Sequence, residues 1–436
     1  MADIIIKNGY ILTMNPAQDD IKQGVVVIKD GIITRVAEST DETADTIIDA
    51  KGGVVMPGLV NTHTHAGMTL FRGYADDLAL SDWLENHIWP AEAQLTGNDL
   101  YIGTKLACLE MIRSGTTAFV DMYIHMDSVA RAVEESGMRA ALSYGMIDLG
   151  DHERGMSELK EGRRFVREWN GRADGRITTM YGPHAPHTCS RDLLGLVKEY
   201  AIDDNVKIHI HILETEAELN EMKKMFGMCS VNMLDELGFL DNDVIAAHCI
   251  WLSDGDMDIL NKCGVNVSHN PVSNMKLASG ISPVPKMLAR GVNVSLGTDG
   301  CASNNNLDMF GEMKTAALLH KVDTSDPTTL PARQVLEMAT VNGARAMGTN
   351  SGMLKLGCMA DVIIVDMDRP HLTPVYNVAS HLVYSASGGD VRTTIVDGKV
   401  LMDDYRVLVM DEQKVMDEAR SATEKILPTV GLTRTT

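Results

Sequence analysis

The sequence is short of positive charge. Lysine and arginine number 39 against 60 aspartates and glutamates, and the net charge is −21. Proteins that grip a phosphate backbone carry basic patches, so a nucleic-acid partner is not expected. Paired cysteines are lacking too. The seven cysteines are an odd number, scattered without a Cys-x-x-Cys. That argues against a disulfide framework and for a reducing cytoplasm. No apolar run is long enough to cross a bilayer, so no membrane partner is expected. The start, Met1 to Lys7, lacks the basic beginning and long apolar core of a secretory signal. Internal repeats, linkers and low-complexity tracts are missing as well.

What is present is an ordinary globular composition, 44% hydrophobic and 23% charged. The 436 residues suffice for one large α/β barrel and a small extra domain. The 28 methionines read as adaptable core filler. Residues 3 to 57 read as short strands: Asp3 to Ile6, Tyr10 to Met14, Gly24 to Lys29 and Ile32 to Val36, with a hairpin signal at Asp30-Gly31. From Pro57 strand-like runs alternate with amphipathic stretches such as Asp99 to Arg113 and Asp127 to Ser136. Eight runs are expected as strands, beginning at Val54, Thr116, Arg139, Ile177, Val206, Val244, Val265 and Val292. Eight strands in about 250 residues is the arithmetic of a (β/α)8 TIM-like barrel. After Gly352 short strands return, with a hairpin around Asp397-Gly398 and a surface helix from Asp411 to Ile426. The expected fold class is therefore α/β. Residues 58–355 form the barrel, and residues 1–57 and 356–436 form a small β-sandwich domain built from both chain ends.

The chemistry-bearing residues collect where barrel strands end. Strand one ends in His63 and His65, two residues apart and hence on one face. Strand four ends at His184, strand five carries His209, His211 and then Glu214, strand six ends at His248, strand seven at His269 and strand eight at Asp299. Catalytic groups of such barrels sit at these ends, and groups of this kind are costly to bury without partners. Three neutral imidazoles and one carboxylate suit Zn²⁺, or Fe²⁺, with a position left for water. The expected ligands are His63, His65, His211 and Asp299. His209 shares the face of His211 and is the alternative. Such a cation makes hydroxide available near neutral pH. Glu214 can then shuttle a proton to a substrate ring nitrogen. His248 can take a proton from the water or hold the hydroxide in place. Two-metal sites need a bridging group at the fourth strand end; His184 stands there and no lysine does, so one metal per chain is expected. His269 reads as a structural hydrogen-bonding residue, and His125, His152, His187 and His320 as solvent or loop residues.

With these residues in view, the chain resembles the amidohydrolase superfamily, through Pro57-Gly58-Leu59-Val60-Asn61-Thr62-His63-Thr64-His65, His211, His248 and Asp299. Within it the chain resembles the 5-methylthioadenosine/S-adenosylhomocysteine deaminases, and among those the archaeal variant that handles 5′-deoxyadenosine. The supporting stretches are His65 to Gly73, Gly182-Pro183-His184-Ala185-Pro186, Ser268-His269-Asn270-Pro271 and Gly297 to Asn305. The resemblance implies hydrolytic deamination of an adenine ring in a small-molecule nucleoside. It implies contacts from Glu92 to the ribose hydroxyls and from His184 to base or sugar. Members that take S-adenosylhomocysteine offer an arginine after strand three to its carboxylate. Here Ser143-Tyr144-Gly145 occupies that place, so Tyr144 replaces it, with Arg154 a second contact or a substitute. A clamp lacking one arginine holds a carboxylate less well, which favours small 5′ groups. A homo-oligomer is expected.

Two other readings compete. One is a deaminase or dechlorinase of another ring, of guanine, cytosine or triazine type; Glu92 argues against it, since a free base has no ribose to hold. The other is a catalytically dead barrel that serves as a binding protein, and the complete set of ligands and proton-transfer candidates argues against that.

Overall fold

The computed structural model describes residues 1–78 and 82–426. Two sheets organise it. Eight parallel strands follow one another in chain order around a nearly closed barrel: Leu59–Thr64, Thr116–Tyr123, Arg139–Met146, Ile177–Pro183, Lys207–Ile212, Val244–His248, Asn266–His269 and Asn293–Leu296. They are buried almost throughout and rich in β-branched and small residues, as parallel strands covered by helices must be. Helices such as Gly97–Arg113, Met126–Ser136 and His152–Trp169 lie between successive strands. Several are capped by residues that accept from the first turn, Thr96 and Ser190 among them.

The first and eighth strands do not pair along a regular ladder; side chains close the seam. Asn61 Nδ2 donates to Thr298 Oγ1 at 2.7 Å, Thr298 N donates to Asn61 Oδ1 at 3.0 Å, and Thr62 Oγ1 donates to the Leu296 carbonyl at 2.9 Å. The Asp299 N–H then reaches the His63 carbonyl at 2.9 Å. Both sides of this seam carry expected metal ligands.

The second sheet has nine strands from both ends of the chain. Ala2–Ile11, Ile21–Lys29, Ile32–Ala37, Ala44–Asp49 and Val54–Pro57 come from the N-terminal side. Val362–Val365, Val391–Val396, Lys399–Asp403 and Arg406–Val407 come from the C-terminal side. Val54–Pro57 and Val362–Val365 pair antiparallel and join the two halves. The sheet curls over its own core, which includes Ile6, Ile11, Val26, Ile28, Val55, Val362, Ile364 and Ile395. Ile32 bridges to Met359 across it.

Three local readings change. The expected strand beginning at Val54 is two strands, divided at Gly58, where the chain passes from one sheet to the other. A Cβ at Gly58 would stand 2.1 Å from Thr117 Oγ1, so the crossing requires glycine. The expected strands Asp3 to Ile6 and Tyr10 to Met14 are one long strand, Ala2–Ile11, with register shifts around Gly9. Ala44–Asp49 is a strand that the sequence did not announce. It is mostly exposed, and a partner strand rather than a hydrophobic pattern holds it.

Arg139, at the start of the third barrel strand, ties the sheets together. Its Nε lies 2.9 Å from Asp361 Oδ2 and its Nη2 lies 3.2 Å from Asp397 Oδ1; Arg139 and Asp361 are both 3% exposed. Arg139→Met should cost about 3–5 kcal/mol in urea denaturation, because it strands a buried carboxylate. A loss below about 1 kcal/mol would show that Asp361 has other sufficient partners.

Candidate active site

Four imidazoles surround His63, whose ring centroid lies 5.0 Å from that of His65, 4.9 Å from His209, 4.9 Å from His211 and 5.2 Å from His248. Hydrogen bonds behind the rings decide which nitrogen faces inward. His65 Nδ1 donates to the Met122 carbonyl at 2.6 Å, and His211 Nδ1 donates to the His184 carbonyl at 2.6 Å. A carbonyl can only accept, so Nδ1 carries the proton in each and Nε2 presents a lone pair. His63 Nδ1 meets His209 Nε2 at 2.9 Å. His209 therefore stands behind His63, one layer below His211, instead of taking its place.

Asp299 completes the group. Its Oδ1 lies 3.4 Å from His63 Nε2 and 3.3 Å from His65 Nε2, while Ser273 Oγ donates to Oδ2 at 2.7 Å. Two sets of donor atoms, His63/His65/Asp299 and His63/His211/His248, each lie within 4.8 Å of one another and share His63. His63 Nε2 is buried without a hydrogen-bond partner. A buried lone pair left so is costly, and a cation among these donors would satisfy it. The residues fit a divalent metal.

Burial sets the charge states. It lowers His63 to about 4 and holds His211 well below the ordinary histidine value, both neutral as ligands must be, and it lowers His209 behind them in the same way. Asp299 is held well below the carboxylate range: burial pushes it up, but His63, His65 and His248 outweigh that. Glu214 is raised, chiefly by burial. For His248 burial lowers the value, yet Glu214 and Asp299 together lift it above the ordinary one. Glu214 Oε2 and His248 Nε2 are 3.8 Å apart, and Asn274 Oδ1 accepts from His248 Nδ1 at 2.9 Å. Three of these strand ends turn through the left-handed region: Leu213 at φ 52°, His248 at φ 71° and Asp299 at φ 64°. Such conformations cost of order 1–3 kcal/mol each in non-glycine residues and gather at functional sites.

The cavity above the cluster is lined by His65, His184, His211, Glu214, His248 and Asp299, and by Glu92 on another wall. Glu92 accepts from Tyr123 Oη at 2.7 Å and is raised by burial. His184 meets Thr188 Oγ1 at 2.9 Å, and burial lowers it to about 3. Apolar walls come from Trp83, Leu84, Ile88, Trp89, Ile124 and Ile147.

Two expected contacts are not brought there. Tyr144 and Arg154 are not among the lining residues. Strand alternation gives the inward positions beside Tyr144 to Ser143 and Gly145. Tyr144 instead bonds Glu158 on the covering helix, which raises its hydroxyl after burial, and Arg154 pairs with the same Glu158 at 4.0 Å. Tyr181, in register with Tyr144, likewise reaches outward, to Asp204 at 2.7 Å. Two histidines also differ from expectation. His187 lines the cavity, its Nδ1 3.8 Å from Glu218 Oε1. His320 is fully buried, 3.2 Å from His269 through their Nε2 atoms. His125 and His152 are exposed. The sequence reading missed Glu218, Ser273 and Asn274. Only Glu218 left a local signal, as the last residue of Thr215-Glu216-Ala217-Glu218, the spacing of a capping box.

Comparisons with known proteins accord with this geometry. A sequence model of the amidohydrolase family matches residues 54–401. A 5′-deoxyadenosine deaminase of Methanosarcina mazei is 69% identical over 431 residues, 99% of this chain and 100% of that protein. A 5-methylthioadenosine/S-adenosylhomocysteine deaminase of Thermococcus onnurineus is 53% identical over 401 residues, 92% of this chain and 94% of that protein. The crystal structure of an adenosine deaminase from Xanthomonas campestris with bound zinc superposes with a TM-score of 0.93 at 33% identity, covering 98% of each chain.

Proposed function

The chain belongs to the amidohydrolase family, and on that premise we propose that it hydrolytically deaminates the adenine ring of 5′-modified adenosines. The substrates are 5′-deoxyadenosine, 5′-methylthioadenosine, S-adenosylhomocysteine and adenosine, and the products are the inosine analogue and ammonia. The observation that carries this reading is the pairing of Glu214 with His248 beside a cluster of neutral imidazoles and Asp299. His63, His65, His211 and Asp299 would hold one divalent cation, zinc or iron. Bound there, it supplies a Lewis acid that lowers the pKa of water. Burial raises Glu214, which favours its protonated form, and as general acid it would hand that proton to a ring nitrogen. As the water oxygen adds to C6, that carboxyl protonates N1. His248 takes a proton from the water and passes it to the amino group, which leaves as ammonia; the remaining hydroxyl proton goes to the Glu214 carboxylate as the C6 carbonyl forms.

Among the described residues, the cavity lining contains no lysine or arginine. A substrate carboxylate therefore meets no guanidinium or ammonium partner, while a 5′-methyl or methylthio group meets aromatic and aliphatic walls. With Tyr144 turned outward, this lining supports the preference for small 5′ groups. We place the chain, all seven of whose cysteines are free, in the cytoplasm as a homo-oligomer, and sedimentation would measure the assembly. Among the described residues no helix is long and apolar enough to cross a membrane. Ammonia release across a panel tests the function: the four adenosines above, free adenine, guanine and cytosine. Faster release from guanine or cytosine than from every adenosine would overturn it.

Glu92 gives a separate test. Its two oxygens can accept from the vicinal 2′ and 3′ hydroxyls of a ribose. A hydrogen bond to a charged group is worth about 1.5–3 kcal/mol, so 2′-deoxy analogues should fall about 10- to 100-fold in kcat/KM. Glu92→Ala should shrink that ratio to a few-fold. An unchanged ratio would mean that Glu92 serves Tyr123 and not the sugar.

A further inference from the structure

Glu218 is buried, 4% exposed, at the first turn of the helix Glu216–Phe226. Thr215 caps that helix by accepting from Glu218 N at 3.1 Å. In a capping box the glutamate would return the bond to the Thr215 N–H. Glu218 reaches further back instead. Its Oε1 accepts from Leu213 N and its Oε2 from Glu214 N, both at 2.9 Å, and Ser230 Oγ donates to Oε1 at 3.3 Å. The two amides it holds flank the left-handed turn at Leu213, by which the chain leaves the fifth barrel strand. The Leu213 carbonyl accepts from Ile250 N at 3.0 Å and Trp251 N at 3.2 Å, just past His248. One carboxylate thus fixes the backbone from which the Glu214 side chain projects toward His248.

The geometry points to Glu218 as a positioning residue for Glu214, acting through the backbone amides of residues 213 and 214. This rests on the assignment of proton transfer to Glu214. Without the carboxylate, the buried N–H of Leu213 and the part-buried N–H of Glu214 lose their acceptor and the left-handed turn loses what holds it. The Glu214 carboxyl then samples positions away from the ring nitrogen, while the cavity walls and the histidine cluster stay. Outer-shell partners of metal ligands typically cost about 10- to 100-fold when substituted, and a loss of the same order is expected for a group that aims the proton-transfer carboxyl.

The test is a double-mutant cycle on the metal-loaded enzyme with 5′-deoxyadenosine. Glu218→Ala should lower kcat per bound metal about 10- to 100-fold and leave KM within about threefold. In a Glu214→Gln background the same substitution should cost less than about threefold, since the group it positions is already disabled. Wild-type kcat in Glu218→Ala, or an equal fold-loss in both backgrounds, overturns the inference and leaves Glu218 a purely structural residue. If Glu218→Ala does not accumulate as folded protein, Glu218→Gln serves in the same cycle. It keeps one acceptor oxygen, its expected loss is about 3- to 10-fold, and it too should lose its effect in the Glu214→Gln background. Near-normal turnover of Glu214→Gln alone is a different result, which sinks the proton-transfer assignment itself.

Discussion

His63→Ala and Asp299→Ala should each yield a folded protein that releases no ammonia above background and retains far less than one divalent ion per chain. His63 is the hub of the cluster: its ring touches four other imidazoles, and both sets of converging donor atoms include it. Removing it takes a donor from each set and opens a hole where His209 now meets its Nδ1. Asp299 is the one carboxylate among the expected ligands, and it neutralises charge that the imidazoles cannot. An open metal site needs its full protein ligand set. Circular dichroism would show that the fold survives, elemental analysis would count the ions, and an ammonia assay would read turnover. Wild-type metal content with lost activity in both variants would remove these residues from the ligand set. The same analysis on the unaltered enzyme should find one ion per chain, because His184 and not lysine stands at the fourth strand end. Two tightly bound ions in active enzyme would contradict that count.

Glu214→Gln should keep its metal and lose about 10²- to 10⁴-fold in kcat, the usual contribution of a general acid or base. The amide is nearly isosteric, so the cavity and the contact with His248 change little in shape. What disappears is the carboxyl's capacity to give and take a proton, since an amide does neither. Measured per bound ion, the loss separates proton transfer from metal loss. Turnover within a few-fold of wild type would make Glu214 a structural residue.

The two variant sets divide the site by function. Ligand variants should lose ions and rate together, whereas Glu214→Gln should lose rate alone. The Glu218 cycle then asks how the proton donor is aimed, and Glu92→Ala asks how the sugar is read.

The sequence by itself determined the barrel, the run of polar residues at its strand ends and the chemistry those residues can support. Each depends on local pattern. The spacing of two between His63 and His65 puts them on one face, and eight apolar runs separated by amphipathic stretches imply parallel strands under helices. Tertiary structure decided everything that depends on which distant segments meet. Asn61 and Thr298 close the seam from 237 residues apart, and no periodicity records that. The break at Gly58 follows from a contact with Thr117 on the next strand. Tyr144 could have been turned outward from alternation alone, but its partner Glu158 became visible only with the covering helix in place. His187 and Glu218 lie on different elements and enter the site because the loops after the fourth and fifth strands pack together. Local sequence specifies which way a side chain points along its own element; packing specifies what it points at, and the site is made of the second kind of fact.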